Sequence, residues 1–292
     1  MGELGAALAR LLRSDGFEVV TTLENRSPRT KALAAAAGVR DVGGMVDVVH
    51  TSDVVISLVP PDAAVEVARS AAACDRPSSE AVYVDANSIS PLTIETIRDV
   101  VVSHGFGFCD ASIQGLAPLL AKEGVMYLSG EKAEEIHELF CNVLSVQNLG
   151  STPGQASALK MLLGGLNKQL IASFAELAAL AHRRDLVEEF LGACDSYYPG
   201  VLEVVARTLP TYPTRVRRRA LEMGELSLTL QSAGITPDVA PAARRVLDRM
   251  AGFTLGEADV TDLKAMVHLL GAELVGSGRG SDQIEIVEQR GA

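Results

Sequence analysis

Met1-Gly2-Glu3-Leu4-Gly5-Ala6 opens the chain, and Leu8, Leu11 and Leu12 follow at helical spacing up to Asp15-Gly16. Two glycines three apart at the start of a helix form half of a turn that cradles a dinucleotide's pyrophosphate. Glycine allows close approach of the phosphate, and the helix amides and dipole face it. The other half is a β-strand ending in a further glycine. None stands before Gly2, so the stretch reads as a nucleotide-binding turn that lacks its first strand. GxxG is a weak signal alone, and the order of elements behind it decides the fold.

After this helix comes Phe17-Glu18-Val19-Val20-Thr21-Thr22-Leu23, a strand, then a helix over residues 28–37 with Pro28 near its start. Val54-Val55-Ile56-Ser57-Leu58-Val59 is the next strand, stopped by Pro60-Pro61. A helix over residues 63–73 and the buried strand Ala81-Val82-Tyr83-Val84-Asp85 come next. Further strands are expected over 106–110, 125–129 and 146–149. Such alternation predicts an α/β fold, a Rossmann-like, mostly parallel sheet with helices on both faces. Beyond Pro153 the strand signals vanish. Leu159, Leu163, Leu166, Leu170, Phe174 and Leu177 recur at spacings of three and four, which predicts one long helix over 155–183 and an all-α C-terminal part. The expected division is a cofactor domain over 1–152, a helical domain over 153–275 and a disordered tail over 276–292.

Composition narrows the function. The 292 residues carry 37 acidic and 26 basic side chains, a net charge of −11, which repels nucleic acid phosphates and anionic membrane surfaces. No apolar run is long enough to span a bilayer, and the first residues do not resemble a targeting segment. A cytoplasmic protein without nucleic acid or membrane partners is expected. Cys74, Cys109, Cys141 and Cys194 lack CxxC spacing, and His50, His104, His137, His182 and His268 form no HxxxH pair, so no metal site is expected.

In open parallel sheets ligands bind beyond the carboxyl ends of the strands. The first such place is Gly2, Glu3, Leu4 and Gly5, at the pyrophosphate. After the second-strand position come Glu24, Asn25, Arg26 and Ser27. An acid there favours a free ribose 2′-hydroxyl, whereas a cation with a neighbouring hydroxyl suits a 2′-phosphate. Arg26 and Ser27 favour NADP, with NAD as the alternative through Glu24. Ser57, Leu58, Val59 and Pro60, and then Asn87 and Ser88, suit a ribose and nicotinamide shelf. Asp110-Ala111-Ser112-Ile113-Gln114-Gly115 reads as a strand-end acid followed by a glycine loop, a place for a substrate carboxylate. Lys160 stands in the first turns of the long apolar helix, where burial lowers a lysine pKa toward the range useful for proton transfer. The run Arg215, Arg217, Arg218 and Arg219 reads as a solvated or ion-paired helix face.

These residues resemble the β-hydroxyacid dehydrogenases, relatives of 6-phosphogluconate dehydrogenase. The closer likeness is to their branch of NAD-binding phosphogluconate-dehydrogenase-like proteins with a distinct C-terminal helical domain. Gly2 and Gly5 look like the second and third glycines of GxGxxG, and Asn25-Arg26-Ser27 like the family's NR(S/T), which the resemblance links to NADP. Asp110 to Leu116 is similar to DAPVSGG, with Gln114 in the serine place and Leu116 in that of the second glycine. Lys160 matches the catalytic lysine of GxxxKxxxN, whose asparagine place is here Gly164. Asn167 and Lys168 lie near the same helical face at i+7 and i+8 from Lys160, where they could line the cleft but could not replace an asparagine at Gly164 one for one.

The resemblance implies a dehydrogenase or reductase of CH–OH groups, moving a hydride between NADP and a small hydroxy acid or its carbonyl form. Lys160 is then the general acid/base, and Ser88, Asp110, Gln114, Gly115, Gly164 and Asn167 are the substrate-binding candidates. It also implies a homodimer. The competing reading is a catalytically silent dinucleotide-binding or dimerisation module that has lost its first strand.

Overall fold

The computed structural model describes residues 1–74, 81–212, 215–252 and 262–276. In chain order the elements are α1 (Glu3–Ser14), β1 (Val20–Thr21), α2 (Pro28–Ala36), β2 (Arg40–Asp41), α3 (Met45–Thr51), β3 (Val54–Ser57), α4 (Ala64–Ala72), β4 (Val82–Asp85), α5 (Pro91–Val102), β5 (Gly107–Gln114), α6 (Leu120–Glu123), β6 (Val125–Ser129), α7 (Ala133–Phe140) and β7 (Ser145–Asn148). Helices come after these without further strands: α8 (Gln155–Arg183), α9 (Val187–Tyr197), α10 (Pro199–Thr208), α11 (Val216–Ser232), α12 (Val239–Met250) and α13 (Leu263–Gly276). This is the expected Rossmann-like sheet with a helical C-terminal part. The tail expected from 276 lies, from residue 277 on, outside the described residues.

The chain forms two compact units. One comprises Met1–Gln169 and Arg218–Ala242, the other Leu170–Arg217 and the described residues from Ala243 on. In the first unit β3-β4-β5-β6-β7 form one sheet, parallel except where β5 meets β6, while β1 and β2 form a separate parallel pair. The expected strand over 17–23 thus contributes only Val20 and Thr21 to a ladder, because β2 is its sole hydrogen-bonded neighbour among the described strands. Helix α1 joins the two sheets through its side chains. Its Ala6 and Ala9 pack with Ala34, Ala37 and Val39 beside the β1–β2 pair. Its Ala7, Leu8 and Leu12 pack with Val82, Val84, Cys109 and Ala111 of the larger sheet.

Alternation along the strands separates the two faces. Val82, Val84, Cys109, Ala111 and Ile113 belong to the core on the α1 and α7 side. Val55, Tyr83 and Phe108 belong to the core under α4 and α5. Ser57, Asp85, Asp110 and Ser129 are therefore on the second face. Register sets them side by side across four strands, Ser57 opposite Asp85, Asp85 opposite Asp110, and Asp110 opposite Ser129. No helix among the described residues is long and apolar enough to cross a membrane.

The second unit holds an aromatic contact between Phe174 and Phe190 and ion pairs from Arg249 to Glu176 and from Lys264 to Glu188.

Candidate functional site

The row of polar side chains across the sheet is buried, with Ser57 3% exposed and Asp85, Asp110 and Ser129 fully enclosed. Buried polar groups require partners, and these tie the strand ends to the loops and the helix beyond them. Asn87 Nδ2 donates to Ser57 Oγ at 2.9 Å and to Asp85 Oδ2 at 2.8 Å. The Asn87 amide donates to Asp85 Oδ1, and its side-chain oxygen accepts from Val59 N at 2.6 Å. The Ser57–Pro60 segment and Asn87, both read from sequence as a cofactor shelf, are thus one hydrogen-bonded unit. Burial, reinforced by the Asp110 charge, outweighs the Asn87 bonds and pushes the Asp85 carboxyl up to about 7.

Asp110 corrects the sequence reading. It does not end a strand before a loop: β5 runs on to Gln114, because residues 110–114 pair antiparallel with residues 125–129. Its carboxylate accepts from Ser129 Oγ at 2.8 Å, from Ser157 N at 3.1 Å and from Ser157 Oγ at 2.6 Å. Ala156 N donates in turn to Ser129 Oγ. Asp110 therefore anchors the first turn of α8. Burial raises its carboxyl pKa, and the bonds from Ser157 and Ser129 oppose that rise.

One turn along α8 from Ser157, Lys160 Nζ donates to the backbone oxygen of Ile113 on β5. Lys160 is half-buried. Burial is the main cause that brings its pKa down to about 8; the Lys168 and Arg218 charges add to the drop and the Glu222 carboxylate opposes it. Ser112 and Gln114 share the strand face of Asp110. Ser112 Oγ and Gln114 Nε2 are buried with no hydrogen-bond partner among the described residues. Gly115 follows at φ +130°, with Gly124 Cα 3.1 Å from where a Cβ would stand. Ser88 is half-buried at the end of the β4 loop.

Sequence reasoning missed the part that α11 plays. A Cβ on Gly165 would come within 2.6 Å of Leu226 Cδ2, so this glycine lets α11 lie close against α8. Glu225 of α11 accepts from Ser90 N at 2.7 Å and from Thr93 Oγ1 at 3.1 Å, at the capped start of α5. Glu222 is held by Lys168 at 2.8 Å and by Arg218 at 3.2 Å. The cations keep its carboxyl below the usual range despite burial. Arg218 of the basic run is thus ion-paired. Spacing alone offered a hint, since Arg218 precedes Glu222 by four residues on one helix. Asn167 is half-buried on α8.

In the same unit, Gly2 is the N-cap of α1 without a side-chain cap, and a Cβ there would meet nothing within 4 Å. Leu4 packs against the core, Gly5 is half-buried, and Glu3 is paired to Arg29 at 2.5 Å. Arg26 is exposed and lies near enough to the Met1 amine to lower its pKa, after the larger effect of burial. The start of α1 thus lies near the cations Arg26 and Arg29. Asn25 is left-handed, at φ 54°, and Ser27 caps α2 through Thr30 N. His182 and His268, isolated in sequence, meet through their Nδ1 atoms at 3.0 Å in the second unit. Among the described residues no group of three or more His, Cys, Asp or Glu could hold a metal.

Similarity to known proteins covers both halves of the chain. The NAD binding domain of 6-phosphogluconate dehydrogenase matches residues 1–145, and a domain of unknown function, DUF1932, matches residues 181–250. An uncharacterized 28.5 kDa protein of Methanothermus fervidus is 32% identical over 190 residues, which is 65% of this chain and 72% of that protein. A conserved protein of unknown function, whose structure revealed similarity with 3-hydroxyacid dehydrogenases, is 34% identical. It superposes with a TM-score of 0.64, covering 85% of this chain and 93% of that one. The 3-hydroxyisobutyrate dehydrogenase of Mycobacterium tuberculosis, solved with L-serine, shares the fold at 20% identity. Its TM-score is 0.68, covering 92% of this chain and 96% of that one. The chain belongs to the β-hydroxyacid dehydrogenase family, in its 6-phosphogluconate-dehydrogenase-like branch.

Proposed function

We propose that this chain is an NADP-dependent oxidoreductase acting on a small hydroxy acid or its carbonyl form, with Lys160 as general acid and base at the substrate oxygen. The observation that supports it most is Lys160 itself, a half-buried amine held at the end of β5 with its pKa lowered to about 8. Near neutral pH such an amine can both take and return a proton. The nicotinamide, when bound, supplies the hydride.

The open N-terminus of α1 and the nearby Arg26 fit a dinucleotide. In this reading Gly2, Glu3, Leu4 and Gly5 receive the pyrophosphate, and Asn25, Arg26 and Ser27 receive the 2′-phosphate. Ser57–Pro60 and Asn87 form the shelf beside the nicotinamide. Ser88, Gln114 and Gly115 orient the substrate, with Gly164 and Asn167 along α8. Asp110 acts through α8 as a positioning residue. Residues 1–152 are the cofactor part and 153–275 the helical part, through which two copies associate.

Turnover with NADP and 3-hydroxyisobutyrate or L-serine, the compounds tied to the mycobacterial fold neighbour, is the first assay. Lys160→Ala should lower it by about 10² to 10⁴ with cofactor binding intact. Unchanged turnover in that variant would remove the assignment.

A further inference from the structure

Two histidines stand outside the chemistry of Lys160. His182, the penultimate residue of α8, and His268, on α13, belong to the same compact unit. Their Nδ1 atoms are 3.0 Å apart, and their ring planes are close to perpendicular, at 84°. Packing fixes the ring of His182. A Cβ on Gly271, three residues after His268 on α13, would collide with His182 Cβ, Cγ and Cδ2. The glycine therefore lets α13 pass directly against that ring.

A neutral imidazole donates at one nitrogen and accepts at the other. In the pair as it stands, one Nδ1 carries the proton and the other offers its lone pair. When the donor ring carries its proton on Nε2 instead, both Nδ1 lone pairs face one point, and no charge is gained or lost. Two neutral imidazole nitrogens that converge in this way suit a divalent ion of the zinc, copper or nickel kind. The span fits as well. Two nitrogens about 2.0–2.1 Å from one ion are about 2.9 Å apart at a right angle and about 3.3 Å apart at the tetrahedral angle. The observed 3.0 Å lies between these.

His268 is exposed and His182 half-buried, so water can complete the shell of such an ion. Among the charges nearby in the chain, Lys264, one turn before His268, is offset by Glu188. Arg183 and Arg184 are exposed, and solvent screens them. The net charge of −11 favours a cation. Two protein ligands are fewer than the three or four of catalytic and structural zinc, in keeping with the lack of a larger ligand group among the described residues. An ion held by two exchanges with solvent and joins the helices only while bound.

We propose that His182 and His268 bind one zinc-like divalent ion through their Nδ1 atoms, clasping the end of α8 to α13. The site is independent of the oxidoreductase reading.

The test is calorimetric titration of the full chain with zinc chloride, followed by magnesium chloride as a competitor. Zinc should occupy one site per chain, and magnesium, which prefers oxygen ligands, should not displace it. His182→Ala and His268→Ala should each weaken that site at least about tenfold. His268 is exposed, so its variant answers the question even where His182→Ala fails to fold. His104→Ala removes an exposed histidine of the other unit and should leave zinc affinity unchanged. In thermal unfolding, zinc should raise the Tm of the wild-type chain and not that of either site variant. No zinc binding by the wild-type chain, unchanged affinity in a folded site variant, an equal loss in His104→Ala, or displacement of zinc by an equal concentration of magnesium would each overturn the proposal.

Discussion

Removing the Asp110 carboxylate should unpin α8 and cost several kilocalories. Asp110→Ala deletes three bonds, from Ser129 Oγ, Ser157 N and Ser157 Oγ, at a site closed to solvent. The Ser157 amide cannot turn elsewhere. The two hydroxyls can rotate, so one to two donors remain unsatisfied, each costing about 1–3 kcal/mol. Relief of the buried charge and of its repulsion with Asp85 offsets part of this. The net loss is about 2–5 kcal/mol, or about 5–15 °C in Tm for a protein of this size. Asp110→Asn provides the control. Its oxygen can accept from Ser129 and the Ser157 amide, its NH2 can donate to Ser157 Oγ, and the loss should stay within about 1 kcal/mol. Thermal unfolding of both variants at pH 7, with turnover measured alongside, tests this. An alanine variant melting within about 2 °C of wild type, or an asparagine variant as unstable as alanine, would refute the anchoring role.

Other outcomes rest on the same groups. Arg26→Ala should weaken NADPH about tenfold or more while leaving NADH within about twofold, since a charge-assisted phosphate bond is lost; fluorescence titration with both nucleotides reads this. Asp85 ionises near 7 in the folded chain and about 3.9 unfolded. Between these values the folded state holds the extra proton, so stability declines as pH rises from about 4 to about 7. Asp85→Asn should flatten that decline in urea unfolding, and an unchanged slope would contradict it. Oxidation of the substrate needs Lys160 neutral, so its rate should rise with pH through about 8. Glu222→Gln removes the carboxylate that supports the charged amine and should move that rise to lower pH, as the pH–rate profile will show.

Much of the sheet was legible because residues 54–59 and 81–85 are apolar runs of strand length that end in polar residues or prolines. The long helix was legible too, as its leucine spacing spans 155–183. Two things were not. The reach of β5 to Gln114 depends on antiparallel pairing with β6, which no local propensity encodes. The pairing of Lys168 with Glu222 depends on a close approach at Gly165 between helices far apart in sequence. Lys160 is legible from its chemistry, a cation on an apolar helix, whereas the bonds from Ser157 to Asp110 are not, because Ser157 lies on another element.

The central claim, a dinucleotide site serving Lys160, is tested most directly by titrating the 292-residue chain with NADPH and NADH and following fluorescence. Saturable binding of NADPH, tighter than that of NADH, is the result expected. Saturable binding of neither nucleotide would contradict it.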